Sequence, residues 1–140
     1  MQGDIINRRE VKPMRKPFIN FTNHPSAHWN PTQTACARQY GEIEDIPFPD
    51  IPPEMTQDEL YALAEQYLVR LLSKEPCCVL CQGESVFTAL MVSMLMQKHI
   101  PVVAAVSKRT VQESTNENGQ TVKCALFEFT GFREYILYDP

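Results

Sequence analysis

Long apolar runs are missing from this sequence. Its two most apolar stretches, near residues 83–97 and 100–106, are interrupted by Gln97 and Lys98. Neither therefore reaches the ~20 residues that a membrane-spanning helix requires. The first residues contain no apolar core of a signal peptide. We expect a cytoplasmic protein that makes no membrane contact.

The sequence also lacks the cysteine pattern of a disulfide-stabilised protein. It has five cysteines, an odd number that argues against a disulfide framework when no secretory signal is present. Cys78 and Cys81 have C-x-x-C spacing, but their apolar run is typical of a strand, in which positions three apart face opposite sides. This geometry opposes a shared metal ion. We predict buried free thiols, with a redox or zinc role as the alternative.

The motifs of the common nucleotide-dependent enzymes are absent as well. The sequence contains neither a P-loop lysine motif nor G-x-G-x-x-G, so ATPase and dinucleotide-oxidoreductase functions are weakly supported. The net charge of −4 excludes a general binder of duplex nucleic acid. Basic residues nevertheless crowd residues 1–16, and a solvated basic arm is the simplest interpretation. They are Arg8, Arg9, Lys12, Arg15 and Lys16.

Strand-like and helix-like segments alternate along residues 17–140, which we predict to form one domain with its own core. Thr56 and Glu59 form a capping box, and leucines follow at helical spacing. The prolines of residues 47–53 predict a stiff loop. The predicted strands are residues 17–22, 42–46, 77–81 and 101–106, and the predicted helices are residues 31–40, 56–72 and 85–98.

A hairpin follows the last of these strands. Asn118-Gly119 is a strong turn signal, with antiparallel strands predicted at residues 109–115 and 120–130 and a terminal strand or tail at residues 132–138. Three successive strand–helix–strand units predict parallel strands with crossover helices. The predicted fold is therefore an α/β, Rossmann-like three-layer sandwich with a mainly parallel sheet and a C-terminal β-hairpin.

Ligands of such sheets bind outside the carboxyl ends of the strands. Four segments are expected to leave those ends, residues 22–29, 47–53, 82–85 and 107–109, and all but the second are rich in polar groups. We therefore expect these segments to share one rim. The candidate ligand-binding residues on it are Thr22, Asn23, Ser26, His28, Gln82, Gly83, Glu84, Ser85 and Ser107.

The candidate catalytic residues are a histidine and two cations. Histidine as a residue type can exchange a proton near neutral pH, so His24 is a candidate general acid or base, with a surface or structural role as the alternative. Lys108 and Arg109 are adjacent cations at a predicted strand end, which suits phosphate binding, with a solvated turn as the alternative. Gly83 would admit a ligand closely, and the amides of residues 84–86 would face an anion.

These residues together predict a site for an anionic, phosphorylated ligand. A metal ion held by His24, His28 and Glu84 is the weaker alternative, because Pro25 prevents an H-x-x-x-H helix. We therefore expect no metal and no cofactor.

The sequence resembles the small CRISPR-associated proteins proposed as ring nucleases, which have a stand-alone domain related to the CARF sensors of type III systems. The likeness spans roughly residues 17–135. It is carried by the stretches "FINFTNHPSAHW", "QTACARQYGEIEDIPFP", "VLCQGES", "VVAAVSKR" and "FEFTGFREY". It implies a single CARF-like domain and a homodimer that binds cyclic oligoadenylate across its two-fold axis.

The resemblance also implies a reaction. A ribose 2′-hydroxyl attacks the adjacent phosphate without a metal ion, and a linear product with a 2′,3′-cyclic phosphate forms, which would switch off type III CRISPR signalling. His24 is then the expected general acid or base, and Lys108 or Arg109 stabilises charge on phosphorus. Three alternatives stay open: a non-catalytic module that binds the same ligand, a different enzyme on this scaffold, and a purely structural interaction protein.

Overall fold

A computed structural model describes residues 16–140, so the predicted basic arm lies outside the described residues except for Lys16. Five strands form one sheet: β1 (Phe18–Phe21), β2 (Ile43–Asp45), β3 (Cys78–Cys81), β4 (Val102–Thr115) and β5 (Thr121–Glu134). Three α-helices cover it: α1 (Pro31–Arg38), α2 (Gln57–Ser73) and α3 (Ser85–Gln97). A 3₁₀ turn at Ser26–His28 precedes α1. No helix within residues 16–140 is both long and apolar enough to cross a membrane.

The sheet is mixed and mostly parallel. Its strand order is β2-β1-β3-β4-β5. The first four strands are parallel, with Phe18 opposite Ile43 on one side and Cys78 on the other, whereas β5 pairs antiparallel with β4. The predicted strand–helix–strand units and the C-terminal antiparallel pair are therefore confirmed, and the architecture is compatible with a Rossmann-like α/β fold.

The helices pack against both faces of this sheet. The crossover from β1 to β2 runs across the sheet in the direction opposite to the two later crossovers, so right-handed connections place α1 on one face and α2 and α3 on the other. Phe18 and Leu80 accordingly pack with Ala37 of α1. Ile19 packs instead in the cluster that contains Phe87 of α3.

The C-x-x-C pair follows the same alternation. Cys78 belongs to the cluster on the α1 face and Cys81 to the cluster on the opposite face, and both are buried free thiols. This prediction is confirmed. Burial raises the pKa of the Cys81 thiol to about 12, so that it stays protonated and unreactive at neutral pH.

The starts of α1 and α2 are fixed by side-chain caps. The predicted capping box is present at α2: the Thr56 hydroxyl accepts a hydrogen bond from the Glu59 amide at 3.2 Å, and the Thr56 amide donates to the Glu59 carboxylate at 3.3 Å. At α1, Asn30 is the N-cap, and its side-chain oxygen accepts from the Gln33 amide at 2.8 Å. These caps satisfy backbone donors that would otherwise be unpaired at the helix ends.

The prediction that the fourth strand ends at Val106 is wrong. β4 continues to Thr115, and β5 extends to Glu134, so both strands are longer than the sequence indicated. The continuation passes through an irregularity, because Val106 is opposite Gly131 whereas Ser107 is opposite Phe129. Beyond it the backbone groups of the two strands satisfy one another, and residues 107–129 form what we call the ribbon.

Candidate functional site

A cavity of about 700 Å³ lies beside the carboxyl ends of β1 and β3, within the range of small-molecule sites. The strand order reverses between these two strands, since β1 leads to β2 on one side while β3 and β4 lie on the other. Such a switch point is where open α/β sheets bind ligands. Seven of the predicted site residues line the cavity: Thr22, Asn23, His24, His28, Gln82, Gly83 and Ser107.

The loop after β1 is shaped by a buried asparagine. Asn20 is 1 % exposed; its amide nitrogen donates to the His24 carbonyl at 2.9 Å and to the Asp45 carboxylate at 3.1 Å. Its oxygen accepts from the Thr22 hydroxyl at 2.7 Å, and that hydroxyl accepts from the His24 amide at 3.1 Å. The side chains of Asn20 and Thr22 therefore fix the backbone of the loop at His24.

This network leaves the histidine side chains at the cavity wall. The His24 carbonyl also accepts from the indole nitrogen of Trp29 at 3.1 Å, which ties the loop to the segment entering α1. The imidazoles of His24 and His28 are exposed and border the cavity. Both can therefore reach a ligand there as proton donors or acceptors.

The turn after β3 contributes Gln82 and Gly83. The side-chain oxygen of Gln82 accepts from the Ala105 amide at 2.9 Å, so this residue joins β3 to β4 and is fixed in orientation. The absence of a side chain at Gly83 is required by packing, because a Cβ atom there would collide with the ring of Phe48. Packing against Phe48 therefore explains why residue 83 is a glycine, without any ligand.

Glu84 and Ser85 do not line the cavity. The Glu84 side chain is the N-cap of α3 and accepts from the amides of Val86 and Phe87, the second at 3.2 Å. The amide of Val86 therefore donates to a carboxylate of the chain itself and is not available to a ligand anion. Ser26 also lies outside the cavity lining, and its amide donates to Asp45 at 3.1 Å.

The two predicted cations do not line the cavity either. They lie within β4 and not in a loop, and neighbouring residues of a strand face opposite sides. Lys108 is opposite Glu128, whereas Arg109 is opposite Phe127. Since cross-strand partners share a face and Phe127 lines the cavity, Arg109 is on the cavity face of the ribbon and Lys108 is on the other face.

Several lining residues were not predicted as part of the site. Trp29 is one of them, and it is buried as well as bordering the cavity. The alternation of Phe127 and Phe129 around Glu128 was a usable signal for one face of a strand. The unpredicted lining residues are Trp29, Asn30, Gln33, Leu80, Ala105, Phe127 and Phe129.

The chemistry of the lining is amide, aromatic and imidazole. Among the described residues that border the cavity, none is Lys, Arg, Asp or Glu. Within residues 16–140 no group of three or more His, Cys, Asp or Glu side chains could hold a metal ion. The arrangement can stack on planar rings, hydrogen-bond to polar edges and transfer protons through histidine.

Comparison with known proteins places the chain in a family. No curated protein and no solved structure matched it. The model of the "Uncharacterized protein MJ1673 family" matches residues 16–133, which include all of the parallel sheet, the three helices and nearly all of β5. The chain therefore belongs to the uncharacterized protein MJ1673 family.

Proposed function

We propose that this protein is a ring nuclease that binds cyclic oligoadenylate in the cavity and cleaves it without a metal ion. The observation that carries the proposal is the pair of histidine side chains bordering a cavity whose other lining side chains are mostly amides, hydroxyls and aromatic rings. Planar rings and amides suit nucleobases and ribose hydroxyls, and histidines suit proton transfer to and from ribose oxygens.

The proposed reaction requires little covalent chemistry of the protein. A ribose 2′-hydroxyl attacks the adjacent phosphorus; the bond from phosphorus to O2′ forms and the bond to O5′ breaks, leaving a 2′,3′-cyclic phosphate and a 5′-hydroxyl. One imidazole, from His24 or His28, accepts the 2′-hydroxyl proton, and the other donates a proton to O5′. The enzyme contributes chiefly by holding O2′ in line with the leaving oxygen.

The positions of the cations change one part of this proposal. Charge stabilisation on phosphorus falls to Arg109, since it shares the ribbon face with Phe127, and Lys108 takes no part. We extend the proposal to a CARF-like three-layer domain that acts as a cytoplasmic homodimer. A cavity sized for a drug-like molecule accommodates only part of a ring of nucleotides, and a second subunit would supply the rest of the site.

A second candidate is a module that binds the same ring and leaves it intact. The observation that favours it is the absence of Lys and Arg from the described residues bordering the cavity. Stabilising a developing phosphorane charge is usually a large contribution to catalysis, and here it depends on a ribbon residue.

The test is to incubate the purified protein with cyclic tetra- and hexa-adenylate in EDTA and to analyse the products by chromatography and mass spectrometry. We expect linear products with a 2′,3′-cyclic phosphate. His24→Asn should slow cleavage about 100-fold, the scale of one acid–base group. His99→Asn is the matched control, because His99 lies outside the cavity lining and its φ of 59° is one that asparagine tolerates.

Each alternative result has a distinct meaning. A ring that binds but is recovered intact supports the non-catalytic module. Equal slowing by the two histidine substitutions would remove His24 from the proposed mechanism. A protein that neither binds nor cleaves either ring contradicts both candidates.

A further inference from the structure

We infer that the cavity contains an adenine-binding subsite in which Gln33 hydrogen-bonds to the edge of the base and Phe127 stacks on its face. The inference rests on the proposed function, because it assigns the cavity to a nucleotide ligand. It goes further by naming two residues that recognise the adenine base and the edge of the base that one of them reads.

Gln33 is the first observation. It is only 8 % exposed, lies on α1 and borders the cavity. Its backbone amide is fixed by the Asn30 cap at 2.8 Å, so its place on the helix is well defined. Its side-chain amide has no protein hydrogen-bond partner among residues 16–140, and it is not one of the fully buried polar atoms left unpaired there.

The polar atoms of this amide are not sealed inside the core, because among the described residues the buried side-chain polar atom without a partner is the Thr88 hydroxyl. Since Gln33 is largely buried and borders the cavity, the accessible part of its side chain is open to a ligand there. A ligand in the cavity would supply the missing partners. The carboxamide of glutamine offers one acceptor and two donors. Adenine matches it on one edge, where the N6 amino group donates and N7 accepts, and this bidentate pairing is the usual way that glutamine reads adenine. Hypoxanthine has an acceptor in place of the N6 amino group and cannot complete the pair.

Phe127 is the second, independent observation. It borders the cavity although 70 % of it is exposed. The neighbouring inward-facing ring, Phe129, is 7 % exposed and packs against Phe132 with ring centroids 5.0 Å apart. Within the described residues Phe127 has no such aromatic partner. An exposed ring at a cavity of amides is well suited to stack on a base, and base–aromatic stacking contributes substantially to single-strand recognition.

The test uses adenosine and inosine 5′-monophosphates as probes, since they differ in the group at position 6. Trp29 is the single tryptophan of the sequence and borders the cavity, so its fluorescence reports occupancy, with calorimetry as a second readout. We expect the wild-type protein to prefer the adenine nucleotide. Gln33→Leu should remove that preference and weaken adenine binding about 5- to 100-fold. Gln39→Leu, outside the cavity lining, is the matched control.

Phe127→Ala should weaken both nucleotides about 5- to 100-fold without changing the preference between them. Its matched control is Leu126→Ala, which removes an exposed apolar side chain from the other face of the ribbon. A different pattern, in which the two alanine substitutions have the same effect, would show that stacking on Phe127 does not occur.

The subsite and the enzymatic proposal fail in different ways. If Gln33 determines the adenine preference but cyclic tetra-adenylate is recovered intact, the subsite stands and the nuclease does not. If the ring is cleaved but Gln33→Leu keeps the wild-type preference, the nuclease stands and the subsite does not. Equal binding of the two nucleotides by the wild-type protein, or binding of neither, overturns the subsite.

Discussion

At the scale of single residues, Asn20 organises the site without lining the cavity described above. It occupies a strand position whose neighbours are phenylalanine and isoleucine, and its amide connects β1 to the loop carbonyl of His24 and to Asp45 of β2. The sequence showed a polar residue in an apolar strand but not its purpose. One partner is 25 positions away, and no local pattern indicates a bond over that distance.

We predict that Asn20→Asp destabilises the fold at neutral pH by about 2–4 kcal/mol. A carboxylate at this position cannot donate to the His24 carbonyl, and it would lie beside the carboxylate of Asp45, to which the amide now donates at 3.1 Å. Urea unfolding at pH 7 measures the loss. Asn23→Asp is the matched control, because Asn23 is exposed and should cost less than about 0.5 kcal/mol. Losses of equal size in the two variants would contradict a structural role for the Asn20 network.

At the scale of elements, the parallel part of the fold was predictable because its signals are local. Proline and asparagine begin α1, a capping box begins α2, and continuous apolar runs mark β3 and the first half of β4. Each of these signals acts within one turn of helix or one strand. The order of the elements along the chain was therefore enough to predict that Thr22, Gln82 and Ser107 lie at the same edge of the sheet, where they border one cavity.

The ribbon was less predictable because its residues carry no burial signal. Beyond Val106 the side chains of β4 are exposed on both faces, so the polar sequence there is compatible with a loop as well as with a strand. Pairing with β5 makes this segment a strand, and the pairing depends on residues far along the chain. At the start of the ribbon, for example, the Thr130 hydroxyl donates to the carbonyl of Val106, 24 residues earlier, at 3.0 Å. Lys108 and Arg109 could contact the same ligand from a loop, but as neighbours in a strand they face opposite sides.

Gln33 was missed for a related reason. Helix α1 is polar over most of its length, and its inward positions are Gln33 and Ala37, four residues apart. A helix with a large polar side chain on its buried face does not show the apolar stripe that identifies a core-facing side.

The alternation of the ribbon yields a prediction that separates its two cations. Arg109→Ala should slow cleavage of cyclic oligoadenylate, or weaken its binding, about tenfold or more, because Arg109 shares the cavity face with Phe127. Lys108→Ala should change either quantity less than about twofold, because Lys108 faces the other side. Rates and dissociation constants measured in parallel at two salt concentrations would show whether the effect is local or a general loss of positive charge. A larger effect of the Lys108 variant would contradict the assigned faces.

At the scale of the whole molecule, the core and the ribbon differ in how they are stabilised. The central strands β1 and β3 are buried at every position and are covered by helices on both faces. In the ribbon, Phe129 is the buried residue, and the hairpin beyond it exposes apolar side chains such as Val111 and Leu126. A two-stranded hairpin without a packed face is only marginally stable in water. The ribbon that carries Phe127 and Arg109 can therefore open locally while β1 and β3 remain folded.

We predict that native-state hydrogen exchange separates these two parts. Amides of β3 should exchange only through global unfolding, whereas ribbon amides between Val111 and Ala125 should exchange through local opening at least about 2 kcal/mol lower in free energy. Exchange measured over a series of low urea concentrations distinguishes the two, because local opening exposes little surface and depends weakly on urea. If the ribbon amides were instead as protected as those of β3, something would have to cover the ribbon. The measurement would then be repeated at a hundredfold lower protein concentration. If a second copy of the chain covers the ribbon, protection of the ribbon amides falls on dilution. If a ligand added at saturating concentration covers it, the ribbon amides are protected at either protein concentration.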